Sequence, residues 1–324
     1  MNTQGNITDI IQDDLKAFEK RLKEFTSSTN PYVSEMLDYI LSSKGKLIRP
    51  IMVYLSARMF GTPNETTHIA AVLLELIHSS TLVHDDVVDE SSLRRGKPSV
   101  NAIWENKRAV LIGDYMYANA MVIATQKGEH KLFDLISPTI MKMSLGELIQ
   151  LDNSQKNNFE ESVYLEVIEN KTASLISTCC KAGAFSVGAG DEMQKRIGEF
   201  GVTCGMAFQI KDDILDYKPA NRTGKTTGND ILERKATLPL IGAIKNAENR
   251  ITQNVLQYWK NGNDNNYLLS LVTKYVLENK GIVYAENRMK EYYNTAAAQL
   301  NSFCDSPAKT AMQKVLEFVI DREK

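Results

Sequence analysis

Apolar residues recur every three or four positions along most of this 324-residue chain, and that period limits the folds open to it. A recurrence near 3.6 residues predicts helices with one apolar face, whereas strands show alternation of apolar and polar residues. Sustained alternation is hard to find here. We therefore predict an all-α protein of roughly ten or more helices. The clearest apolar faces consist of Ile10, Ile11, Leu15, Phe18, Leu22 and Phe25; of Ile69, Val72, Leu73, Leu76, Ser80 and Val83; and of Ile197, Phe200, Cys204 and Phe208.

Helix-breaking residues separate these segments. They fall at Asn30-Pro31, Gly61-Thr62-Pro63, Gly96-Lys97-Pro98, Ser137-Pro138 and Lys218-Pro219. The stretch from Lys218 to Asp230 is rich in Gly, Thr and Asn, which predicts a mobile loop. No shift in composition marks a boundary, so residues 1–324 are expected to form a single domain.

Charge and cysteine content exclude several classes of protein. The formal net charge is −2, and a near-balance of this kind gives no support for nucleic-acid binding. The four cysteines form no CxxC pair, which makes a zinc site improbable and suits a reducing cytoplasm. The polar N-terminus does not resemble a signal peptide. Since no uninterrupted apolar stretch approaches the ~20 residues of a membrane span, we expect a soluble protein.

Two short acidic clusters share the pattern DDxxD. They consist of Asp85, Asp86 and Asp89, and of Asp212, Asp213 and Asp216. On a helix, residues four apart lie on one face, so the first and last carboxylates of each cluster project together. Crowded carboxylates repel one another unless a cation neutralises them. Oxygen ligands without His or Cys favour a hard ion such as magnesium, which also binds substrate phosphates.

Each cluster has a plainer interpretation as an acidic, solvated helix face. The flanks argue against it, because Val83 and Val87 surround the first cluster and Ile210 and Ile214 surround the second. Acidic groups in apolar surroundings need a partner. Two copies at matching helix ends therefore predict a diphosphate bound through metal ions.

Basic residues that could bind diphosphate lie at several points. Gly45, Lys46 and Arg49 combine a close backbone approach with two cations, although surface turns of this kind are common. Arg94 and Arg95 follow the first acidic cluster, where a salt bridge to Glu90 is the alternative. The remaining candidates are polar residues beside apolar helix surface, each unremarkable alone: His78, Lys171, Thr172 and Gln209.

Together these motifs resemble the trans-isoprenyl diphosphate synthase family, also called polyprenyl synthetases, from about Leu41 to Pro239. They occur in the family's order: GKxxRP at Gly45–Pro50, HDDxxD with RRG at His84–Gly96, GExxQ at Gly146–Gln150, Lys171-Thr172, FQxxDDxxD at Phe208–Asp216, Gly224-Lys225 and Lys235–Pro239. One departure is Lys44, where the family usually has a second glycine. The resemblance implies an all-α bundle around a central deep cavity, and it favours the long-chain polyprenyl diphosphate synthases as the subgroup.

The resemblance also implies roles for individual residues. The two acidic clusters would bind about three magnesium ions, and Asp85, Asp89, Lys171, Gln209 and Asp212 would be catalytic. Isopentenyl diphosphate would be bound by Lys46, Arg49, His78 and Arg95. The allylic diphosphate would be bound by Arg94, Lys171, Thr172, Gln209, Lys225 and Lys235. The family suggests a homodimer, although some long-chain members need a different partner chain, and transient membrane contact for product release.

The implied reaction begins with cleavage of the allylic C–O bond. The cation that forms must be shielded from water, for which Lys225 and its loop are a candidate lid. The double bond of isopentenyl diphosphate then attacks, and the released diphosphate is our candidate for the base that removes the proton. Alternatives are a shorter-chain farnesyl or geranylgeranyl synthase, a terpene cyclase and a non-catalytic helical subunit.

Product length depends on where the growing chain goes. Ile77, Ser80 and Thr81 lie one to two helical turns before Asp85. In the family, bulky aromatic residues here close the tunnel, and the small Ser80 and Thr81 therefore predict a product longer than geranylgeranyl. The alternative is that both simply pack against a neighbouring helix.

Overall fold

Helices account for most of the residues that the computed structural model describes, which are 9–42, 45–217 and 228–321. The all-α prediction and the prediction of ten or more helices are confirmed. After a 3-10 turn at Asp9–Ile11, the helices are α1 (Gln12–Phe25), α2 (Pro31–Ser42), α3 (Ile48–Phe60), α4 (Glu65–Val88), α5 (Val100–Gln126), α6 (His130–Lys156), α7 (Glu161–Ile168), α8 (Ser174–Ser186), α9 (Asp191–Asp216), α10 (Asn229–Leu232), α11 (Leu238–Asn246), α12 (Asn249–Asn261), α13 (Asn265–Glu278), α14 (Gly281–Asn301) and α15 (Pro307–Asp321).

A two-stranded hairpin interrupts this pattern between α4 and α5. Strands β1 (Leu93–Arg94) and β2 (Lys97–Pro98) pair antiparallel, with Arg94 opposite Lys97. Strands this short carry no alternation of apolar and polar residues, which explains why the sequence did not predict them.

Local chemistry accounts for the start of two helices, whereas one predicted helix break does not occur. Asn64 caps α4 by accepting from the backbone N–H of Thr67, and Pro31 begins α2. The predicted break at Pro138 is wrong, because α6 continues through it. A proline removes only one backbone donor, and the next residue, Thr139, is tied to Thr178 of α8 by a 2.5 Å hydrogen bond between hydroxyls.

Contacts within the chain cluster into two compact units. The first comprises the described residues up to Ile140, with Ile176–Glu199 and Ser302–Val315. Its core is built from α3 and α4, both buried along much of their length. The largest of its fully buried side chains are Tyr54, Phe18, Ile11, Leu37, Met52, Leu55, Ile69, Leu73, Leu74 and Leu76.

The second unit comprises Met141–Leu175, residues 200–217 and 228–301, and residues 316–321. Its apolar core centres on Trp259, which is 1% exposed and packs edge-on against Phe159. Side chains of α11, α12 and α13 surround it, including Leu240, Val255 and Val272. The single domain expected from the sequence stays a prediction.

The predicted mobile loop at Lys218–Asp230 falls mostly outside the described residues, as does Lys225, and only its last two residues belong to helix α10. Helix α4 does have the length and composition of a membrane span, with a mean hydropathy of 1.3. Its apolar residues are interspersed with polar ones, so no uninterrupted run revealed it. Because 67% of the most apolar 18-residue stretch of α4 is buried within the protein, α4 has the character of a core helix.

Candidate active site

The first acidic cluster lies at the C-terminal end of α4. Asp85 and Asp89 are half-buried, and Asp89 follows the last helical residue, with its N–H bonded to the carbonyl of Asp85. Asp86 is only 2% exposed and accepts a 2.8 Å hydrogen bond from Nε of Arg94. Burial raises the pKa of Asp86, while the Arg94 guanidinium opposes that rise. Asp86 and Arg94, which were predicted to bind magnesium and the allylic diphosphate, are therefore paired with each other.

The hairpin explains how Arg94 and Arg95 take different directions. Its two turn residues, Arg95 and Gly96, have φ values of 53° and 77°, as a two-residue turn of type I′ requires. Arg94 reaches Asp86, whereas the Arg95 guanidinium lies over Gly45. A Cβ atom at position 45 would approach Nη2 of Arg95 to 2.7 Å, so any larger residue there would displace the guanidinium from this position. The GKxxRP and RRG motifs therefore meet.

These residues border a cavity of about 860 Å³, measured with its opening, inside the first unit. His78, Arg94 and Arg95 line it, together with the carboxylates of Glu19, Glu75 and Asp86. Apolar side chains line much of the remainder, namely Phe18, Leu22, Tyr39, Ile40, Leu41, Leu47, Leu82, Val83 and Val100. Lys46 and Arg49 follow Gly45 in sequence but do not border the cavity. The arrangement suits a small anion attached to a hydrocarbon.

Burial and the neighbouring arginines shift the pKa values of two side chains at this cavity. Burial, followed by the charges of Arg49, Arg95 and Arg94, holds the pKa of His78 well below its usual range, so this imidazole is neutral near pH 7. Burial raises the pKa of Glu75, and the charges of Arg49 and Arg95 oppose the rise. Oε2 of Glu75 and Nε of Arg49 are buried without hydrogen-bond partners. Glu75 was not predicted as a site residue, although a carboxylate on the apolar face of α4 is a signal of a buried polar role.

In the second unit, Lys171 and Thr172 lie on a turn of π-helix, Glu169–Ala173, between α7 and α8. Such turns are frequent at functional sites because they rotate the following side chains out of the helical register. Gly146 of α6 packs against this turn, and a Cβ atom there would lie 2.9 Å from the backbone nitrogen of Lys171. The glycine of GExxQ is therefore explained by close packing.

Hydrogen bonds connect this turn to the second acidic cluster. Thr172 donates to Oε1 of Gln209 at 2.8 Å, and Nε2 of Gln209 donates to Asp213 at 2.8 Å. Tyr164 donates to the other oxygen of Asp213 at 2.6 Å. Burial raises the pKa of Asp213 to about 7, against these hydrogen bonds. Tyr164 was not predicted, since a lone tyrosine on a helix gives no signal of its own.

The three aspartates of the second cluster differ in exposure. Asp212 is exposed, whereas both oxygens of Asp213 already accept hydrogen bonds. Asp216 accepts 3.0 Å hydrogen bonds from the backbone N–H groups of Gly228 and Asp230. Lys235, predicted to bind the allylic diphosphate, pairs with Glu233 at 2.6 Å.

The residues predicted to set product length are well packed. Ile77 is 1% exposed, and Ser80 is 2% exposed and donates a 2.8 Å hydrogen bond to the carbonyl of Gly113 on α5. Thr81 donates to the carbonyl of His78. Ser80 thus has the packing role that the sequence left open as an alternative, and its role in a tunnel stays a prediction.

The donor set decides which metal these clusters suit. Within residues 9–42, 45–217 and 228–321, no three His, Cys, Asp or Glu side chains converge into a complete metal cage. Magnesium does not need one, because it binds through one or two carboxylates and completes its shell with water and substrate phosphates. The all-oxygen clusters at Asp85–Asp89 and Asp212–Asp216 therefore fit magnesium.

Comparisons with known proteins agree with this chemistry. The profile of the polyprenyl synthetase family matches residues 30–274. The chain is 41% identical over 241 residues to heptaprenyl diphosphate synthase component 2 of Bacillus subtilis, covering 73% of this chain and 68% of that protein. It is 31% identical to octaprenyl diphosphate synthase of Escherichia coli, covering 98% of both.

One similar protein has a solved structure that contains bound groups. The polyprenyl synthase of Caulobacter crescentus, complexed with calcium and isoprenyl diphosphate, matches with a TM-score of 0.91 and 28% identity, covering 99% of this chain and 98% of that one. An all-α enzyme of the prenyltransferase class is thereby defined. The chain belongs to the polyprenyl synthetase family, whose members are metal-dependent, and the two relatives above are heptaprenyl and octaprenyl diphosphate synthases.

Proposed function

We propose that this enzyme condenses isopentenyl diphosphate head-to-tail with a farnesyl- or geranylgeranyl-type diphosphate, giving a longer all-trans polyprenyl diphosphate. The observation that carries the proposal is the cavity that combines Arg94, Arg95 and His78 with apolar walls. A lining that combines arginine side chains with apolar walls matches an isoprenoid diphosphate.

In this proposal isopentenyl diphosphate is held by Arg95 and His78, with Lys46 and Arg49 from the neighbouring loop and helix. Arginine suits bidentate contact with phosphate oxygens. A neutral His78 can donate one hydrogen bond and accept another, which a positively charged ring could not do. Gly45 contributes by leaving space for the Arg95 guanidinium.

The allylic diphosphate is assigned to Arg94, Lys171, Thr172, Gln209 and Lys235, with Lys225 as a further candidate. Asp85 and Asp89 at the C-terminal end of α4 and Asp212 on α9 are the proposed magnesium ligands, with Asp86, Asp213 and Asp216 supporting them. Magnesium, when bound, supplies positive charge that stabilises the departing diphosphate. All residues of the chain are proposed to act as one catalytic domain.

Residues of this chain are proposed to stabilise the allyl cation and to shield it from water. Since the hydroxyl of Thr172 donates to Gln209, the hydroxyl proton is directed at that amide and the oxygen lone pairs stay available for the developing allyl cation. Apolar walls keep water from trapping it as an alcohol. The proton lost after attack passes to the released diphosphate.

The product is proposed to be longer than geranylgeranyl. Replacing Ser80 by Phe should shorten it by one or more isoprene units, because a bulky ring would replace a small side chain on α4. Chromatography of dephosphorylated products measures the change. Ser80→Ala, which keeps the side chain small, is the control and should leave product length unchanged; unchanged product length in both Ser80→Phe and Thr81→Tyr would refute the assignment.

We further propose a homodimer in the cytoplasm. Helix α5 exposes Leu111, Tyr115 and Val122 on one face, with exposed fractions of 66%, 42% and 45%. Spacing of four and seven residues places them together, and an apolar face of this kind favours protein association. Light scattering should give a dimer mass, and Leu111→Glu should reduce it. A monomer that gains activity only with a second protein would favour a heteromer instead.

One assay tests the reaction. Labelled isopentenyl diphosphate, farnesyl diphosphate and magnesium should give products beyond geranylgeranyl, separated by chain length. Omission of either the allylic substrate or the metal is the control. Cyclised hydrocarbon formed without isopentenyl diphosphate would indicate a terpene cyclase, and no turnover by the isolated chain would indicate a subunit of a larger enzyme.

A further inference from the structure

The glutamate and glutamine of the GExxQ motif have no role in the reaction proposed above. Both lie on α6, where Glu147 forms an ion pair with the Lys171 ammonium group. The Glu147 side chain is 15% exposed and that of Lys171 is 25% exposed, so the pair is largely shielded from water. Shielding strengthens an ion pair relative to one on the surface.

Gln150 fixes the orientation of this carboxylate. Its Nε2 donates a 3.1 Å hydrogen bond to Oε1 of Glu147, while Oε2 of Glu147 faces Lys171. Residues three apart on a helix are neighbours, so α6 supplies both groups from one turn. Gly146, the residue before Glu147, packs directly against the backbone of Lys171.

We propose that Glu147 is a positioning residue, which orders the Lys171 ammonium group for the allylic diphosphate and is itself ordered by Gln150. This inference rests on the proposed function, since it assumes that Lys171 binds that substrate. A lysine side chain has four rotatable bonds, and an unpaired ammonium group must lose that freedom when the substrate binds. The ion pair removes the freedom beforehand, which lowers the cost of binding.

The test is the Glu147→Gln variant, which keeps the shape of the side chain and removes its charge. We expect the KM for farnesyl diphosphate to rise ~10-fold, equivalent to about 1.4 kcal/mol. The KM for isopentenyl diphosphate should stay within about twofold of the wild type, and Glu147→Asp should restore part of the loss. Asp152→Asn is the matched control, because Asp152 forms an exposed ion pair with Lys156 on the same helix.

A double-mutant cycle separates positioning from a structural role. In a Lys171→Met background, Glu147→Gln should change the KM for farnesyl diphosphate by less than about twofold. An equal effect in both backgrounds, an equal rise in both KM values, an unchanged KM, or tighter binding of farnesyl diphosphate would each overturn the inference. Absence of condensation by the wild type would refute the proposed function instead, so the two failures are distinguishable.

Discussion

The two acidic clusters have the same sequence pattern, but the middle aspartate of each is stabilised by a different kind of partner. Asp86 is held by a cation, the guanidinium of Arg94, whereas Asp213 is held by the neutral donors of Tyr164 and Gln209. Burial raises the pKa of both carboxyl groups, and for Asp213 it reaches about 7. An opposite charge stabilises a carboxylate more than neutral donors do, so the second cluster is the more sensitive to protonation.

The comparison shows that a motif fixes which residues are present but not how they are supported. In each cluster the middle aspartate is buried and already bonded, while Asp85 is half-buried and Asp212 is exposed. Function is therefore expected to depend most on the outer residues, and stability most on the middle ones.

The largest expected effect is on turnover. Asp85→Ala and Asp212→Ala should each reduce kcat by several orders of magnitude, because each removes a proposed magnesium ligand at the departing diphosphate. Steady-state assays at saturating magnesium measure it, and circular dichroism checks the fold. Near-normal turnover in either variant would contradict the assignment of that aspartate as a magnesium ligand.

Removing the partners of the middle aspartates should affect stability next. Arg94→Met leaves Asp86 buried without a counter-charge and should cost roughly 2–4 kcal/mol of unfolding free energy, reduced from a fully buried pair because Arg94 is 37% exposed. Tyr164→Phe removes one neutral donor and should cost ~1–2 kcal/mol.

Urea unfolding measures both losses. Arg108→Met, which removes an exposed pair with Glu105, is the control and should cost less than about 0.5 kcal/mol. A larger loss from Tyr164→Phe than from Arg94→Met would reverse the comparison.

The last expected effect is on the pH dependence of stability. Since the pKa of Asp213 is raised from 3.8 to about 7, the folded protein binds a proton that the unfolded chain has released between these values. The stability contributed by this group therefore falls as pH rises from about 4 to 7, by at most about 1.4 kcal/mol per pH unit.

Unfolding of the metal-free protein at a series of pH values tests the direction of this change in stability. The pH dependence of unfolding free energy should differ between wild type and Asp213→Asn over this range, and differ less between wild type and Asp86→Asn. His78 acts oppositely: with its pKa lowered, it makes stability fall as pH drops below about 6.5. Equal changes in the two asparagine variants would remove the distinction between the clusters.

Much of this architecture could be predicted from the sequence, because apolar spacing determines helices directly and the acidic motifs sit at their ends. The hairpin could not, since it depends on left-handed backbone at Arg95 rather than on periodicity. Nor could the roles of Glu75 and Tyr164, whose partners are distant in sequence. Pro138 was misjudged because a tertiary contact beside it supports the helix.

The type I′ turn at Arg95-Gly96 has an evolutionary consequence. On the proposed assignment, adjacent arginines serve different substrates, and a single backbone turn sets the direction of both. Inserting or deleting one residue would reverse the facing of each side chain simultaneously. Selection therefore cannot relocate one arginine while leaving its neighbour in place, and the affinities for the two diphosphates must change together whenever this segment changes length.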